Sequence, residues 1–124
     1  MEKRYKLLLL DTLGAMLQHK VCVDVDGKCK VLCGIQSDVG LCFDNSNAFY
    51  GWESFNMKPY LRPMSSMTDD EWEEYKDLLY CVKYADNTLL AVNMFNSWLN
   101  EHHFDYRGLI DKGLAIEAPK GMYE

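Results

Sequence analysis

The densest run of groups able to do chemistry is Glu101-His102-His103-Phe104-Asp105, where two imidazoles stand between two carboxylates. Imidazole titrates near neutral pH and ligates metals, so beside a carboxylate it suits acid–base work or a divalent ion. Successive helical side chains point about 100° apart, however, and two adjacent histidines can share an ion only where the helix has ended. A further ligand would have to arrive from elsewhere in the chain, with Asp11 and His19 as candidates. One reading is therefore an enzyme or metal protein centred on His102, His103 and Asp105. The plainer one is a helix C-terminus whose histidines suit the negative end of the dipole, followed by a capping Asp105.

Five cysteines form the second group: Cys22, Cys29, Cys33, Cys42 and Cys81. Structural zinc sites place paired thiolates two to four residues apart, and only Cys29 and Cys33 come close. An odd set without an export signal reads as reduced thiols serving as small hydrophobes in a cytoplasmic protein. No cofactor and no metal is expected. No glycine-rich phosphate loop, nucleophile elbow or His-Glu-x-x-His pattern occurs. The acids Asp69, Asp70, Glu71, Glu73 and Glu74 cluster, but a helix cap and a solvated face account for them.

Recognition of a macromolecule is the remaining class. Tyr50, Trp52, Phe55 and Tyr60, with Lys58 and Arg62, could stack bases and neutralise phosphates. Nucleic acid is nonetheless an unlikely partner, because 13 basic against 19 acidic side chains give a net charge of −6. A protein partner fits better, since Tyr60, Arg62, Tyr106 and Arg107 are residue types that interfaces favour. With His102 and His103 they make the candidate partner-binding set. The bland alternative is that the Pro59 to Pro63 strip packs two halves of the molecule together.

These residues must be positioned by elements that the hydrophobic pattern predicts. Leu7, Leu10, Leu13 and Leu17 recur at helical spacing, which predicts a helix over Tyr5 to Leu17. Asp11 interrupts the leucine run, and no stretch approaches a membrane span of about 20 apolar residues. From His19 the period becomes two, and Asp26-Gly27 between alternating segments predicts a hairpin. A two-residue loop would put Val21, Val23 and Val25 on one face with Lys28 and Lys30. A three-residue loop, pairing Asp24 with Lys28, gathers Val21, Val23, Cys29, Val31, Cys33 and Ile35 instead, and is the register expected. It turns Cys22 away from Cys29 and Cys33. Turns at Ser37-Asp38 and Asp44 to Asn47 bound strands Val39 to Phe43 and Phe49 to Met57.

Two prolines at 59 and 63 predict an extended connector that cannot enter a ladder interior. Thr68-Asp69-Asp70-Glu71 is a capping box, with Met67 and Trp72 placed as its hydrophobic staple. Trp72, Tyr75, Leu79 and Val82 continue that helix to about Lys83. Asn87-Thr88 caps a third helix from Leu89 to about His102, its inner face expected to carry Ala91, Met94, Phe95, Trp98 and Leu99. Asp105 and Gly113 bracket a short fourth helix through Lys112, and Leu114 to Ala118 predicts a brief extended segment.

Residues 58–68, Lys-Pro-Tyr-Leu-Arg-Pro-Met-Ser-Ser-Met-Thr, and 98–115, Trp-Leu-Asn-Glu-His-His-Phe-Asp-Tyr-Arg-Gly-Leu-Ile-Asp-Lys-Gly-Leu-Ala, resemble segments of small proteins of no assigned activity encoded by phages, prophages and mobile elements of gut Bacteroidales. The resemblance covers about a quarter of the chain and implies a genomic setting, without catalytic residues. The expectation is a single α+β domain over 1–124: a β-rich half (1–58) with an N-terminal helix and a four-stranded antiparallel SH3-like sheet or open barrel, an extended strip (58–67), and a helical half (68–124) with two longer helices and a short one. Its expected role is a non-catalytic protein-interaction or adaptor module.

Overall fold

The computed structural model describes residues 3–36, 40–44, 49–50 and 57–123. The expected turn at Ser37-Asp38, most of the turn at 44–47, the middle of the strand expected from Phe49 to Met57, and with it Trp52 and Phe55, lie outside the described residues, as does the side chain of Tyr50.

Helix α1 (Lys3–Met16) leads through a 3-10 turn (Leu17–His19) into β1 (Cys22–Val25), β2 (Lys28–Gln36), β3 (Gly40–Phe43) and β4 (Phe49–Tyr50). Then come β5 (Met57–Leu61), a second 3-10 turn (Met64–Ser66), helices α2 (Asp69–Tyr84) and α3 (Thr88–Glu101), and β6 (Ile116–Glu117). Among the described residues, these strands form one six-stranded sheet in the order β4-β3-β2-β1-β5-β6. The fold is α+β, but the sheet is mixed instead of four-stranded and antiparallel, because β6 runs parallel to β5.

The hairpin register is the one that the alternation argued against. Val25 pairs with Lys28 and Asp24 with Cys29, leaving a two-residue loop in which Asp26 (φ 51°) and Gly27 (φ 87°) both take positive φ. That is the turn geometry that matches strand twist and for which Asp-Gly is suited. The valine face draws its apolar neighbours from β5 on the other side, where Val23 meets Pro59 and Val25 meets Met57. Lys28 stays exposed and Lys30 reaches Asp44 at 3.7 Å, so the lysines opposite the valines keep their charges at the rim.

Pro59 lies inside a strand. β5 alternates buried Met57, Pro59 and Leu61 with partly exposed Lys58 and Tyr60. β6 begins to pair only at Tyr60, so the ring sits where no ladder N–H is required. The α1 stripe is also rotated from the expected one: Leu9, Leu13 and Met16 are buried while Leu7 is exposed. Four consecutive leucines leave the phase open, and the sheet selects it. Together with Val21, Val23, Val25, Leu32, Leu41, Phe43, Met57 and Leu61 they make the main core, closed by Leu109, Leu114 and Ala115.

Helices α2 and α3 form an antiparallel arm joined through residues 85–87. The capping box is present in full: Thr68 Oγ1 accepts from the Glu71 N–H, and Glu71 Oε1 accepts from the Thr68 N–H. Asn87 caps α3 through the Leu90 N–H. The arm buries little. α2 has no buried residue and α3 buries Ala91, Trp98 and Leu99. Of the residues expected on inner faces, Met94 is 55% exposed, and Trp72 and Leu79 on the α2 stripe are about as exposed. The fourth helix does not form. Asp105 does accept from the Leu109 and Ile110 N–H groups, and Gly113 does end the segment with a Schellman-type pair of bonds, Leu114 N–H to Leu109 O and Gly113 N–H to Ile110 O. Start and stop signals so close together leave room only for turns.

Candidate functional site

The two segments singled out from sequence meet one another. At the end of β5 the backbone of Arg62 donates to His103 O and accepts from the Asp105 N–H, both at 2.8 Å, and Arg62 bridges Phe104 in parallel sense. This places the start of α2, the end of α3 and the strip after β5 around a single guanidinium. Arg62 donates through both terminal nitrogens to Glu71, each at 2.7 Å, and also to Ser66 O. Its carbon lies 4.3 Å from the centre of the Phe104 ring. A planar fork matched to a carboxylate and stacked on an aromatic face is a task for which lysine would be a poor substitute.

Glu71 is the hub of this joint. One oxygen accepts from Arg62 and the Thr68 N–H, the other from Arg62 and from His102 Nδ1 at 3.1 Å. The Arg62 hydrogen bonds, opposed by burial and reinforced by the Thr68 N–H, hold its carboxyl down at about 2, against an ordinary 4.5. Because a carboxylate only accepts, His102 Nδ1 carries the proton in this contact. The His102 ring packs against Trp98, whose Nε1–H donates to Glu74 at 2.8 Å. A carboxylate–imidazole pair is half of an acid–base relay, but Glu71 has its acceptor sites filled by structural donors and His102 faces an aromatic wall.

His103 points the other way. Its φ of 60° is left-handed, which swings its side chain toward the sheet body. There Nε2 donates to His19 O and the ring stacks on Tyr123 at 3.7 Å between centres. Burial pushes its pKa below the ordinary 6.5, with the His19 carbonyl acting against the shift. Tyr123 completes the layer: its hydroxyl donates to Tyr60 O at 2.6 Å and accepts from the Cys22 N–H at 2.9 Å. Burial raises its phenol well above the ordinary 10.

Each remaining candidate has a structural partner. Tyr106 donates to Asn100 Oδ1 at 2.8 Å and packs against both hydrophobic clusters. Arg107 donates to Thr12 Oγ1 at 3.0 Å on α1 and lies over the Tyr106 ring. Tyr60 contributes its backbone to the Tyr123 contact, and Asp105 spends its carboxylate on two backbone N–H groups. His102, His103 and Asp105 thus adjoin in sequence and diverge in space. Among the described residues no group of three or more His, Cys, Asp or Glu is placed to hold a metal ion, and no buried side-chain N or O lacks a partner.

The cysteines are sorted by the observed register. Cys22 and Cys29 fall on the same face, and Cys33, in the irregularity between Leu32 and Gly34, comes within 3.0 Å of Cys42, sulfur to sulfur. This corrects the expectation that Cys29 and Cys33 share the core face, with Cys22 turned from both; Cys29 is exposed. Burial, then the neighbouring Cys29, raises the Cys22 thiol pKa, while the Cys33 contact raises that of Cys42.

Sequence reasoning did not find Glu71 as the partner of Arg62, nor Tyr123. The capping box had already explained Glu71, and a lone tyrosine carries no pattern. An open cleft of about 400 Å³ lies beside the joint, bordered by Arg62, Ser66, Glu117, Lys120 and Tyr123. Its guanidinium is neutralised from within by Glu71. No helix among the described residues is long and apolar enough to cross a membrane. In comparisons with known proteins, no family model, no curated protein and no solved structure matches the chain.

Proposed function

We propose that the protein is a non-catalytic interaction module whose docking element is the α2–α3 arm. The observation that carries this reading is the contrast within the arm: it is fixed at one end by the Arg62–Glu71 joint, yet along its length it exposes Leu79, Tyr80, Tyr84, Leu89, Leu90 and Met94. Large apolar side chains on a helix pair that buries so little are a surface for another protein. The set expected to touch a partner, Tyr60, Arg62, His102, His103, Tyr106 and Arg107, has its hydrogen bonds turned inward and serves in this reading as the mount of the arm. A phage or mobile-element setting belongs to the proposal, supported by the resemblance of residues 58–68 and 98–115. So does an SH3-like description of the sheet, supported by the β1–β4 meander with β5 returned to the free edge of β1.

The test is affinity capture from a Bacteroidales lysate with the wild-type chain and with a Leu90→Glu, Met94→Glu variant as baits. A partner retained by the first and lost by the second is expected. Identical sets of retained proteins would count against the arm as the docking element. Loss of the partner in Arg107→Ala, with the arm variant still binding, would return the role to the 102–107 segment.

A further inference from the structure

The irregularity in β2 has a chemical result. Leu32 pairs with Phe43 and Gly34 with Cys42, so Cys33 is an inserted residue, and Cys33 and Gly34 together oppose Cys42. A bulge of this kind bends its strand and re-aims the inserted side chain. Here it brings the Cys33 sulfur to 3.0 Å from that of Cys42. Gly34 leaves the room for this, since a Cβ at that position would stand 3.4 Å from Cys42 Cβ and crowd it. Leu32, Leu41 and Phe43, on either side of the pair, are buried in the main core and hold the two strands in place.

The separation decides which chemistry fits. Two thiolates on one tetrahedral zinc stand about 3.8 Å apart, with the metal between them. At 3.0 Å the two sulfurs face each other with no space for an ion, and no third His, Cys, Asp or Glu among the described residues joins them as a ligand. A sulfur–sulfur bond needs only about 1 Å of further approach. Access differs between the two. Cys33 lines an open cleft of about 480 Å³ bordered by Leu17, Lys20 and Asp44, whereas Cys42 is 6% exposed. The Cys33 contact, and then burial, hold the Cys42 thiol above its ordinary pKa, so it keeps its proton until Cys33 has reacted.

We propose that Cys33 and Cys42 are a reversible dithiol site for a low-molecular-weight disulfide, with Cys33 taking the incoming sulfur and Cys42 displacing it. The Cys33 sulfur attacks one sulfur of RSSR, which forms a Cys33-to-SR bond and releases the first RSH. The Cys42 sulfur then attacks the Cys33 sulfur, the bond to SR breaks, and the second RSH leaves. Both cysteine protons end on the released thiols, so two cysteines are oxidised and one small disulfide is reduced. The new bond fastens β3 to β2 on the face opposite Leu41 and Phe43.

Oxidised and reduced glutathione are the probe. The full chain is equilibrated over a series of their ratios, quenched with acid, alkylated with N-ethylmaleimide in denaturant and digested with trypsin. The Lys58-Pro59 and Arg62-Pro63 bonds resist trypsin, so Cys33 and Cys42 share the peptide 31–76 with no other cysteine. In the wild type that peptide is expected to pass from doubly alkylated to unalkylated and lighter by about 2 Da, with less than about a tenth carrying glutathione at any ratio. Cys42→Ser strands glutathione on Cys33 and raises that adduct at least about tenfold, whereas Cys33→Ser leaves Cys42 largely unmodified in the folded chain. Cys42→Ala and Cys33→Ala repeat the comparison if a hydroxyl disturbs folding. Closing the bond in the native chain takes at least about tenfold less oxidised glutathione than in concentrated urea, and the oxidised chain unfolds at a higher urea concentration. A peptide 31–76 that stays doubly alkylated at every ratio, or a glutathione adduct that accumulates on the wild type, overturns the proposal. So does equal reactivity of Cys33 and Cys42 in the single variants, or closure no easier in the native chain than in the unfolded one.

Discussion

The sheet body and the helical arm are built by opposite strategies. The body closes a continuous apolar core in which Leu13, Met16, Val21, Val23, Leu41, Phe43, Leu61 and Leu109 are almost wholly removed from water. The arm has a satellite cluster of Trp98, Leu99 and Phe104, with partly buried Met64, Met67, Tyr75, Leu78 and Phe95 around it. Its order comes from caps and from one polar joint. The comparison teaches that helices with strong local signals need not be well buried, and that an element held at its base by hydrogen bonds is free to spend its apolar side chains elsewhere.

The severest way to break the contrast is Phe104→Ala, which empties a fully buried site beneath Arg62 and between the two regions. A loss of about 4 kcal/mol is expected by urea denaturation, with the arm losing hydrogen-exchange protection before the sheet. Arg62→Ala leaves Glu71 charged and poorly solvated at the joint. It should cost about 3 kcal/mol, and Arg62→Lys should restore only part of that, since one ammonium cannot replace the fork.

Acid sharpens the comparison by acting on each region through a different group. The Glu71 carboxyl is held at about 2 in the fold against 4.5 unfolded, so its contribution is complete above 4.5 and is lost as pH falls from about 4.5 to about 2. His103 works at higher pH and in the neutral form. Its lowered pKa means that the unfolded chain takes up the proton first, so stability begins to fall below about 6.5. Melting temperature against pH should therefore decline in two stages, and Glu71→Gln should remove the lower one.

Smaller effects come from the arm alone. Thr68→Ala removes the acceptor of the capping box and should cost about 1 kcal/mol, seen as faster exchange in the first turn of α2. Leu79→Ala should change stability by less than about 0.5 kcal/mol, against several for Leu13→Ala in the body. A large loss at Leu79 would mean that the arm is packed in a way its exposure denies.

What could be read from the chain alone followed the range of the interaction. Thr68 and Glu71, Asn87 and Leu90, and Asp26-Gly27 act within a few residues, and the helix starts and the hairpin were legible from them. The hairpin register was not, because β5, more than thirty residues on, supplies the neighbours that make the two-residue loop acceptable. Pro59 misled for a related reason: whether a missing N–H matters depends on what lies beside the strand. The candidate residues were legible as a set and illegible as a site. Nothing local tells that Arg62 will find Glu71, that His103 will take a left-handed backbone and leave His102, or that Tyr123 will come to rest on it.

The outer margin of the sheet next to β5 carries a last consequence. Only Ile116 and Glu117 continue the ladder there, followed by one more bond from the Ala118 N–H to Leu61 O, and Pro119 then stops it. That margin offers almost no template on which an extended peptide could be added, so β-strand addition beyond β6 is disfavoured.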